Sequence, residues 1–156
     1  MTAKLSTTKI LATTYVFDYE DVNAFTEDER LAIERAMFYL NQIAGRQVFR
    51  YAFGGPANLI IGRKYEDDPR NKRYSGVTYH WGDHARIDFL PRWFRKSWWF
   101  QRTRQQNLAL HELGHVLRFD HVWNPTSFLF PIAGGWPIPY VLWPSERKLL
   151  RTAYGG

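Results

Sequence analysis

The hydrophobic and polar positions along the chain follow two periods, one typical of strands and one typical of helices. Residues 9–17 (KILATTYVF) are rich in β-branched and aromatic side chains, which predicts a strand. Residues 27–44 carry apolar side chains three or four positions apart, which predicts a long helix with one buried face. Thr26 and Glu29 fit a capping box at its start, and Gly45 fits a stop at its end. The apolar positions of this helix are Ile33, Met37, Leu40 and Ala44.

Short segments of strand character follow, separated by glycine, proline and charged residues. They are residues 47–53, 58–61, 76–81 and 85–90. Residues 65–73 are charged and predict a surface loop, residues 101–117 predict a helix, and residues 145–153 predict a last helix with Ser145 as its N-cap. This order of elements predicts an α+β fold. No repeat or linker interrupts it, so residues 1–156 are expected to form one domain.

Composition excludes several kinds of site. The chain of 156 residues is 45% hydrophobic and 17% aromatic, which argues against disorder. It contains no cysteine, so a disulfide framework, a thiolate metal site and a cysteine nucleophile are all excluded. Any transition metal must therefore be bound by histidine or carboxylate side chains.

The net charge of +6 favours acidic partners such as nucleic acid, an anionic surface or an acidic protein. Residues 91–104 (PRWFRKSWWFQRTR) interleave aromatic with basic side chains. This segment is either a docking surface for an acidic protein, an assembly partner or nucleic acid, or a set of aromatics packed inward beneath a solvated basic face. The second interpretation is favoured, and nucleic acid is the less expected partner.

The first residues lack the apolar core of a secretory signal. No stretch reaches the roughly 18 apolar residues of a membrane span. The sequence therefore predicts a soluble protein without a signal peptide, whose localisation is open. A cytoplasmic or virion-associated location is favoured over classical secretion.

The candidate chemistry lies in residues 111–121, which read HELGHVLRFDH. His111 and His115 are four positions apart, so on a helix they share one face and can bind one Zn²⁺. Glu112 between them is placed to act on a metal-bound water. A catalytic zinc site needs a third protein ligand and an open position. His121 follows six residues after His115, which is far enough for the chain to leave the helix and return to the metal.

This segment, followed by NPTSFLFP, resembles the metzincin clan of zinc endopeptidases, and most of all its matrixin branch. Members share the motif HExxHxxGxxH and a following turn that contains methionine, with Tyr-Pro after it in matrixins. The resemblance covers residues 101–156 well and the front half loosely. It implies a zincin fold with a mixed, mostly parallel twisted sheet of about five strands, a long helix, an active-site helix and a C-terminal helix. It also implies a zinc metalloendopeptidase with one catalytic Zn²⁺, in which Glu112 activates a zinc-bound water.

The resemblance further implies where a protein or peptide substrate binds. Residues 76–81 would be the edge strand that pairs with an extended peptide. Leu129 stands where the family has its methionine, and residues 131–140 would line the pocket for the side chain after the cut bond. The substrate-binding residues expected on this basis are Gly76, Val77, Thr78, Tyr79, Leu129, Pro131 and Tyr140.

Two residues depart from the family pattern. Arg118 stands where a glycine turns the chain out of the helix, and a left-handed arginine costs about 1 kcal/mol. Leu129 replaces the methionine, a change of similar volume that cores usually tolerate.

Other functions therefore stay open. One is a catalytically weak or inert metzincin scaffold, used as a structural or docking component of an assembly such as a virus particle. Another is a SprT-like DNA–protein crosslink protease, which the charge favours and the NPTSFLFP segment disfavours. A site with Glu146 as third ligand is less favoured, because this glutamate lies outside the usual helix motif. His80 and His84, which flank Asp83, are candidates for a second metal site, although such residues are more often simple polar surface groups.

Overall fold

The computed structural model describes residues 3–5, 14–96, 100–131 and 139–155. Its strands are β1 (Tyr15–Tyr19), β2 (Phe49–Tyr51), β3 (Leu59–Arg63), β4 (Gly76–Trp81) and β5 (His84–Phe89). Its helices are α1 (Glu27–Ala44), α2 (Pro91–Phe94), α3 (Gln101–Val116) and α4 (Pro144–Tyr154). Within these parts of the chain, every helix is too short or too polar to cross a bilayer.

The strands form one sheet in the order β2-β1-β3-β5-β4. Strands β2, β1, β3 and β5 run parallel to one another, and β4 pairs antiparallel with β5. The predicted α+β class is confirmed, with a mixed and mostly parallel sheet of five strands. Since β4 stands last in the order, one of its sides is not paired by any strand of this sheet.

The strand boundaries differ from those predicted. β1 runs on to Tyr19, because Tyr19 pairs with Ile61 of β3; residues 9–13 of the predicted strand lie outside the described residues. The predicted strand 47–53 shortens to β2, since Phe53 has a positive φ of 48° that turns the chain. β5 begins one residue earlier than predicted, with His84 paired to Trp81 of β4.

Helix α1 is the best-predicted element. The hydroxyl of Thr26 accepts the Glu29 N–H at 3.2 Å, and the Glu29 carboxylate accepts the Thr26 N–H at 2.8 Å. Gly45 ends the helix in a left-handed conformation with φ of 77°. The apolar face is buried, and each fully buried leucine or isoleucine on it contributes about 1.5–3 kcal/mol. α1 packs on α3, which fixes the helix that carries the histidines.

The predicted start of the last helix is wrong. Ser145 is not the N-cap, because α4 begins at Pro144 with Trp143 in the cap position. Proline suits the first position, where its missing N–H has no partner to lose. The Trp143 N–H donates to Glu146 at 2.7 Å. At the other end, the Tyr154 hydroxyl donates to the Leu117 carbonyl at 2.9 Å, so α4 holds the end of α3.

The basic and aromatic segment 91–104 contains the short helix α2, which the sequence did not predict. Trp93 is fully buried, and its indole N–H donates to the Gln105 carbonyl at 3.0 Å. Phe94 packs edge-on against Trp93, with ring centroids 4.9 Å apart. The side chains of Trp93 and Phe94 therefore pack inward. Residues 97–99 of the segment lie outside the described residues.

Candidate metal centre

Three histidine rings meet where α3 ends. His111 and His115 lie one turn apart on the helix, and His121 comes from the segment after it. The ring centroids are 4.6 Å apart for His111 and His115, 4.6 Å for His115 and His121, and 5.3 Å for His111 and His121. One nitrogen from each ring lies within 4.8 Å of the other two. This group could hold a metal ion.

Main-chain carbonyls orient the two helical histidines. Nδ1 of His111 lies 2.8 Å from the Phe128 carbonyl oxygen, and Nδ1 of His115 lies 2.9 Å from the Phe119 carbonyl oxygen. A carbonyl only accepts, so each Nδ1 must carry the proton. In a neutral ring the other nitrogen, Nε2, then has a free lone pair, which is the form that a metal requires.

The two Nε2 atoms of His111 and His115 face each other at 3.1 Å. Two lone pairs at this distance repel unless a proton or a cation lies between them. Burial lowers the pKa of His111 to about 3, so a proton is disfavoured there. Zinc at about 2.05 Å from each nitrogen in tetrahedral geometry places two nitrogens about 3.3 Å apart. The spacing of these two nitrogens therefore suits a shared metal ion.

Arg118 turns the chain out of α3. It adopts a left-handed conformation with φ of 70°. The Arg118 N–H donates to the His115 carbonyl and the Phe119 N–H donates to the Gly114 carbonyl, both at 3.0 Å. These two bonds form a Schellman motif, in which glycine is the usual left-handed residue. Arg118 therefore makes the turn that glycine makes in the metzincin motif.

Backbone hydrogen bonds hold the chain on both sides of His121. The Asp120 N–H donates to the Lys4 carbonyl at 2.8 Å, and the Val122 N–H donates to the Leu129 carbonyl at 3.0 Å. The ring of His121 is the most exposed of the three, whereas His111 is buried. The third ring is thus placed by two distant parts of the chain.

The loop beneath the helix packs tightly on Gly114. A Cβ at this position would lie 2.6 Å from Cε2 of Phe128 and 2.9 Å from Cδ2 of Leu129. Both side chains are fully buried. A glycine at position 114 therefore lets the Phe128 carbonyl approach close enough to orient His111.

The Glu112 carboxyl lies buried beside the histidines. Burial raises its pKa above the ordinary range. The hydroxyl of Thr78 donates to Oε2 of Glu112 at 2.7 Å, and this bond opposes the rise in pKa. A Cβ at Gly76 would lie 2.9 Å from Cγ of Glu112. Two residues of β4 thus fix the position of this carboxyl.

A cleft of about 480 Å³ opens over the histidines. Of the residues expected to contact a substrate, four line it: Gly76, Val77, Thr78 and Pro131. Tyr79 is 43% exposed, whereas Leu129 and Tyr140 are buried. Residues 132–138 of the expected pocket segment lie outside the described residues. The substrate-binding roles stay predictions.

The other candidate ligands have partners of their own. Nε2 of His80 lies 3.1 Å from the Val116 carbonyl oxygen, and Nδ1 of His84 lies 2.8 Å from the Asp83 carboxylate. The buried Glu146 carboxylate accepts the Ser127 hydroxyl at 2.6 Å.

Sequence reasoning did not place any arginine in the cleft, and it missed the contact of Thr78 with Glu112. Arg70, Arg73 and Arg92 line the cleft, although the first two belong to the predicted surface loop. The contact of Thr78 had one usable signal, because Gly76, Thr78 and His80 alternate along β4 and so share a face. No such local pattern places the arginines at the histidines, although Arg92 belongs to the basic and aromatic segment 91–104.

Comparison with the models of known protein families finds no matching family, and comparison with curated proteins finds no match either. The likeness to metzincins therefore depends on the residues and the geometry described above.

Proposed function

We propose that the protein is a zinc-dependent endopeptidase of the metzincin type, formed by residues 1–156 as one domain. One observation carries the proposal: three ring nitrogens lie within 4.8 Å of one another beside a buried carboxyl group, in an open cleft. His111, His115 and His121 are the proposed zinc ligands. Glu112 is the proposed general base.

Zinc at this site would supply Lewis acidity, which polarises a carbonyl group and lowers the pKa of water. Glu112 would accept the proton of the water that attacks the scissile carbonyl carbon. The carboxyl would then pass the proton to the amine nitrogen as the C–N bond breaks. The fixed position that Thr78 and Gly76 give to Glu112 supports this role.

Strand β4 is the proposed binding strand for the peptide. It is the last strand of the sheet, and its residues 76–78 line the cleft. An extended peptide can add to such an edge through main-chain hydrogen bonds. This pairing would lay the scissile bond across the histidines.

The three-histidine group beside the buried Glu112 carboxyl favours catalysis over a purely structural metal site. A structural zinc site usually fills its fourth position with a protein ligand. Among the described residues, the metal-binding group consists of three histidines alone. A structural site also has no use for a buried glutamate next to its ligands.

The test is zinc analysis together with digestion of a peptide library. The wild-type protein should bind one zinc ion and cut a subset of the peptides. Glu112→Gln and Glu112→Ala should keep the zinc and lose about 10²–10⁴-fold in kcat/KM, as expected for a general base. Glu27→Gln, at an exposed position in the first turn of α1, removes a similar charge and should leave both quantities unchanged.

Three results would count against the proposal. Full activity in a zinc-loaded Glu112→Ala variant would remove Glu112 from the reaction. Zinc binding without cleavage of any peptide would favour the inert scaffold. Cleavage that requires added DNA would favour the crosslink protease.

A further inference from the structure

The cleft over the histidines carries positive charge that the described part of the chain does not neutralise. Arg73 and Arg92 line the cleft, and neither guanidinium has a carboxylate partner among the described residues. Other arginines are paired: Arg86 with Glu20 and Asp88, and Arg102 with Asp28. The two cleft arginines are thus free to bind an acidic group from outside.

Arg70 shows how this chain neutralises an arginine. Its guanidinium makes two bonds to Asp68, at 2.9 Å from Nε and 2.7 Å from Nη2. It therefore lines the same cleft with its charge already paired. The contrast leaves Arg73 and Arg92 as the cations available for a ligand.

One backbone hydrogen bond joins the two chain segments that carry the unpaired arginines. The Leu90 N–H donates to the Ser75 carbonyl at 2.9 Å, which extends the pairing of β4 with β5 beyond Gly76 and Phe89. Arg92 follows Leu90 by two residues, and Arg73 precedes Ser75 by two residues. This backbone bond therefore holds Arg73 and Arg92 on neighbouring chain segments, and both residues line the cleft.

More basic side chains surround Arg92. The guanidinium of Arg104 donates to the Arg92 carbonyl at 2.6 Å. Burial, together with the charges of Arg92 and Arg95, lowers the pKa of Arg104. These like charges stand close together, so an anion bound to Arg92 would relieve repulsion as well as gain hydrogen bonds.

Asp120, an acidic residue of the cleft lining, lies past the end of α3, whereas Leu108 lines the cleft one turn before His111. Leu108 and Val116 are eight residues apart, which is about 12 Å along a helix. The bond from Arg104 places Arg92 beside the first half of α3, so Arg92 and Asp120 lie toward opposite ends of this helix.

We infer that the cleft selects peptides with an aspartate or glutamate side chain at the position that lies against Arg92 and Arg73. The inference rests on the proposed peptidase function and adds the class of substrate. Arginine suits this role because its planar fork can bind a carboxylate through two parallel hydrogen bonds. The volume of about 480 Å³ is ample for one side chain and the adjoining peptide.

The test uses end-blocked, fluorescent decapeptides in matched pairs that differ only by glutamate or glutamine at one position, scanned along the sequence. With the zinc-loaded wild-type protein, glutamate at one position should raise kcat/KM at least tenfold over glutamine, the size expected for one charge-assisted hydrogen bond. Arg92→Gln should abolish this ratio, Arg73→Gln should reduce it, and Arg92→Lys should keep part of it. Arg50→Gln, at an exposed position on β2, removes the same charge at the far side of the sheet and should leave the ratio unchanged.

A second measurement separates this inference from the peptidase proposal. Binding of the same peptides to the zinc-loaded protein is followed by fluorescence anisotropy. If no peptide is cut but glutamate peptides bind at least tenfold more tightly through Arg92, the peptidase proposal fails and the acidic preference stands. Equal rates and equal binding for glutamate and glutamine peptides at every position, or a preference that survives the double variant R73Q/R92Q, would overturn the inference. Absence of binding for every peptide would also overturn it.

Discussion

The hydroxyl of Thr78 lies 2.7 Å from Oε2 of Glu112, although the two residues are 34 positions apart in the chain. The bond joins the edge strand β4 to helix α3. It gives the buried carboxyl one fixed orientation toward the histidines. The strand proposed to bind the substrate thus also positions the proposed base.

Thr78→Val should therefore impair catalysis without loss of zinc. The valine keeps the shape of threonine but cannot donate to Glu112, and a hydrogen bond to a charged group is worth about 1.5–3 kcal/mol. We expect kcat/KM to fall roughly 10–100-fold, with zinc content unchanged by metal analysis. Thr78→Ser restores the hydroxyl and should recover most of the activity. Equal activity of the valine and serine variants would exclude this role for the bond.

Gly114→Ala should weaken both the fold and the metal site. The new Cβ would lie 2.6 Å from the Phe128 ring, so the loop beneath α3 must move. Overpacking of this kind costs about 1–3 kcal/mol, to be measured by urea unfolding. The Phe128 carbonyl also orients His111, and zinc affinity should therefore fall about 10–100-fold. An alanine variant with wild-type stability and affinity would show that the loop adapts freely.

Substitutions at position 118 test whether the turn after α3 needs a left-handed backbone or the arginine side chain itself. Because Arg118 has φ of 70°, a β-branched residue there is strained, while glycine is not. Arg118→Val should be less stable than Arg118→Gly by about 1–2 kcal/mol in chemical denaturation. The valine variant should also bind zinc more weakly, since the turn positions His121 three residues further along the chain. If the two variants were equally stable, the turn would not depend on the left-handed residue.

Zinc should stabilise the fold by mass action. A ligand at a thousand times its Kd that binds only the folded state adds about 4.1 kcal/mol, so excess zinc should raise Tm and a chelator should lower it. His121→Ala removes one proposed ligand and should lose most of the rise. His84→Ala is the matched control, because the exposed His84 pairs with Asp83 and lies outside the three-histidine group. A rise in Tm that persists in His121→Ala would argue that zinc binds elsewhere.

Glu146 should make stability depend on pH in a defined direction. Burial raises the pKa of this carboxyl above its unfolded value of 4.5, although bonds from Ser127 and Trp143 lower it in part. The folded state therefore binds the proton more tightly than the unfolded state does. The contribution of Glu146 to the free energy of unfolding is therefore complete below pH 4.5 and is lost as the pH rises through the folded pKa.

Comparison with Glu146→Gln isolates this effect, because the amide is neutral at every pH and all other groups are shared. The free energy of unfolding of the wild type minus that of the variant should fall as the pH rises above about 4.5 and then level off. Urea titrations at a series of pH values between 4 and 8 measure it. A difference that rises with pH would mean that the hydrogen bonds outweigh the burial.

The sequence predicted the parts of the site that depend on local periodicity. The separation of His111 and His115 by four residues fixes both rings on one helical face, and the capping box of Thr26 fixes where α1 begins. These features need no knowledge of distant contacts. The helix α2 escaped prediction because it has four residues, too few for a periodic pattern.

The parts that depend on long-range pairing could not be predicted. The contact of Thr78 with Glu112 follows from the docking of β4 beside α3. The bond between Leu90 and Ser75 joins the two chain segments that carry Arg73 and Arg92. The alternation along β4 predicts which of its residues share a face, but the local sequence does not identify the partner on the other element. The proposed substrate preference therefore depends on contacts that only the folded chain shows.

Arg92 and Trp93 are neighbours in one short helix, yet their tolerance to mutation should differ sharply. Trp93 is fully buried against Phe25 and Phe89, so few replacements can keep the fold. Arg92 is half-buried at the rim, where other polar side chains fit without disturbing the interior. Under the proposed function, exchange of the residue at position 92 would change which peptide charge the cleft prefers, while the buried Trp93 would keep this part of the fold in place.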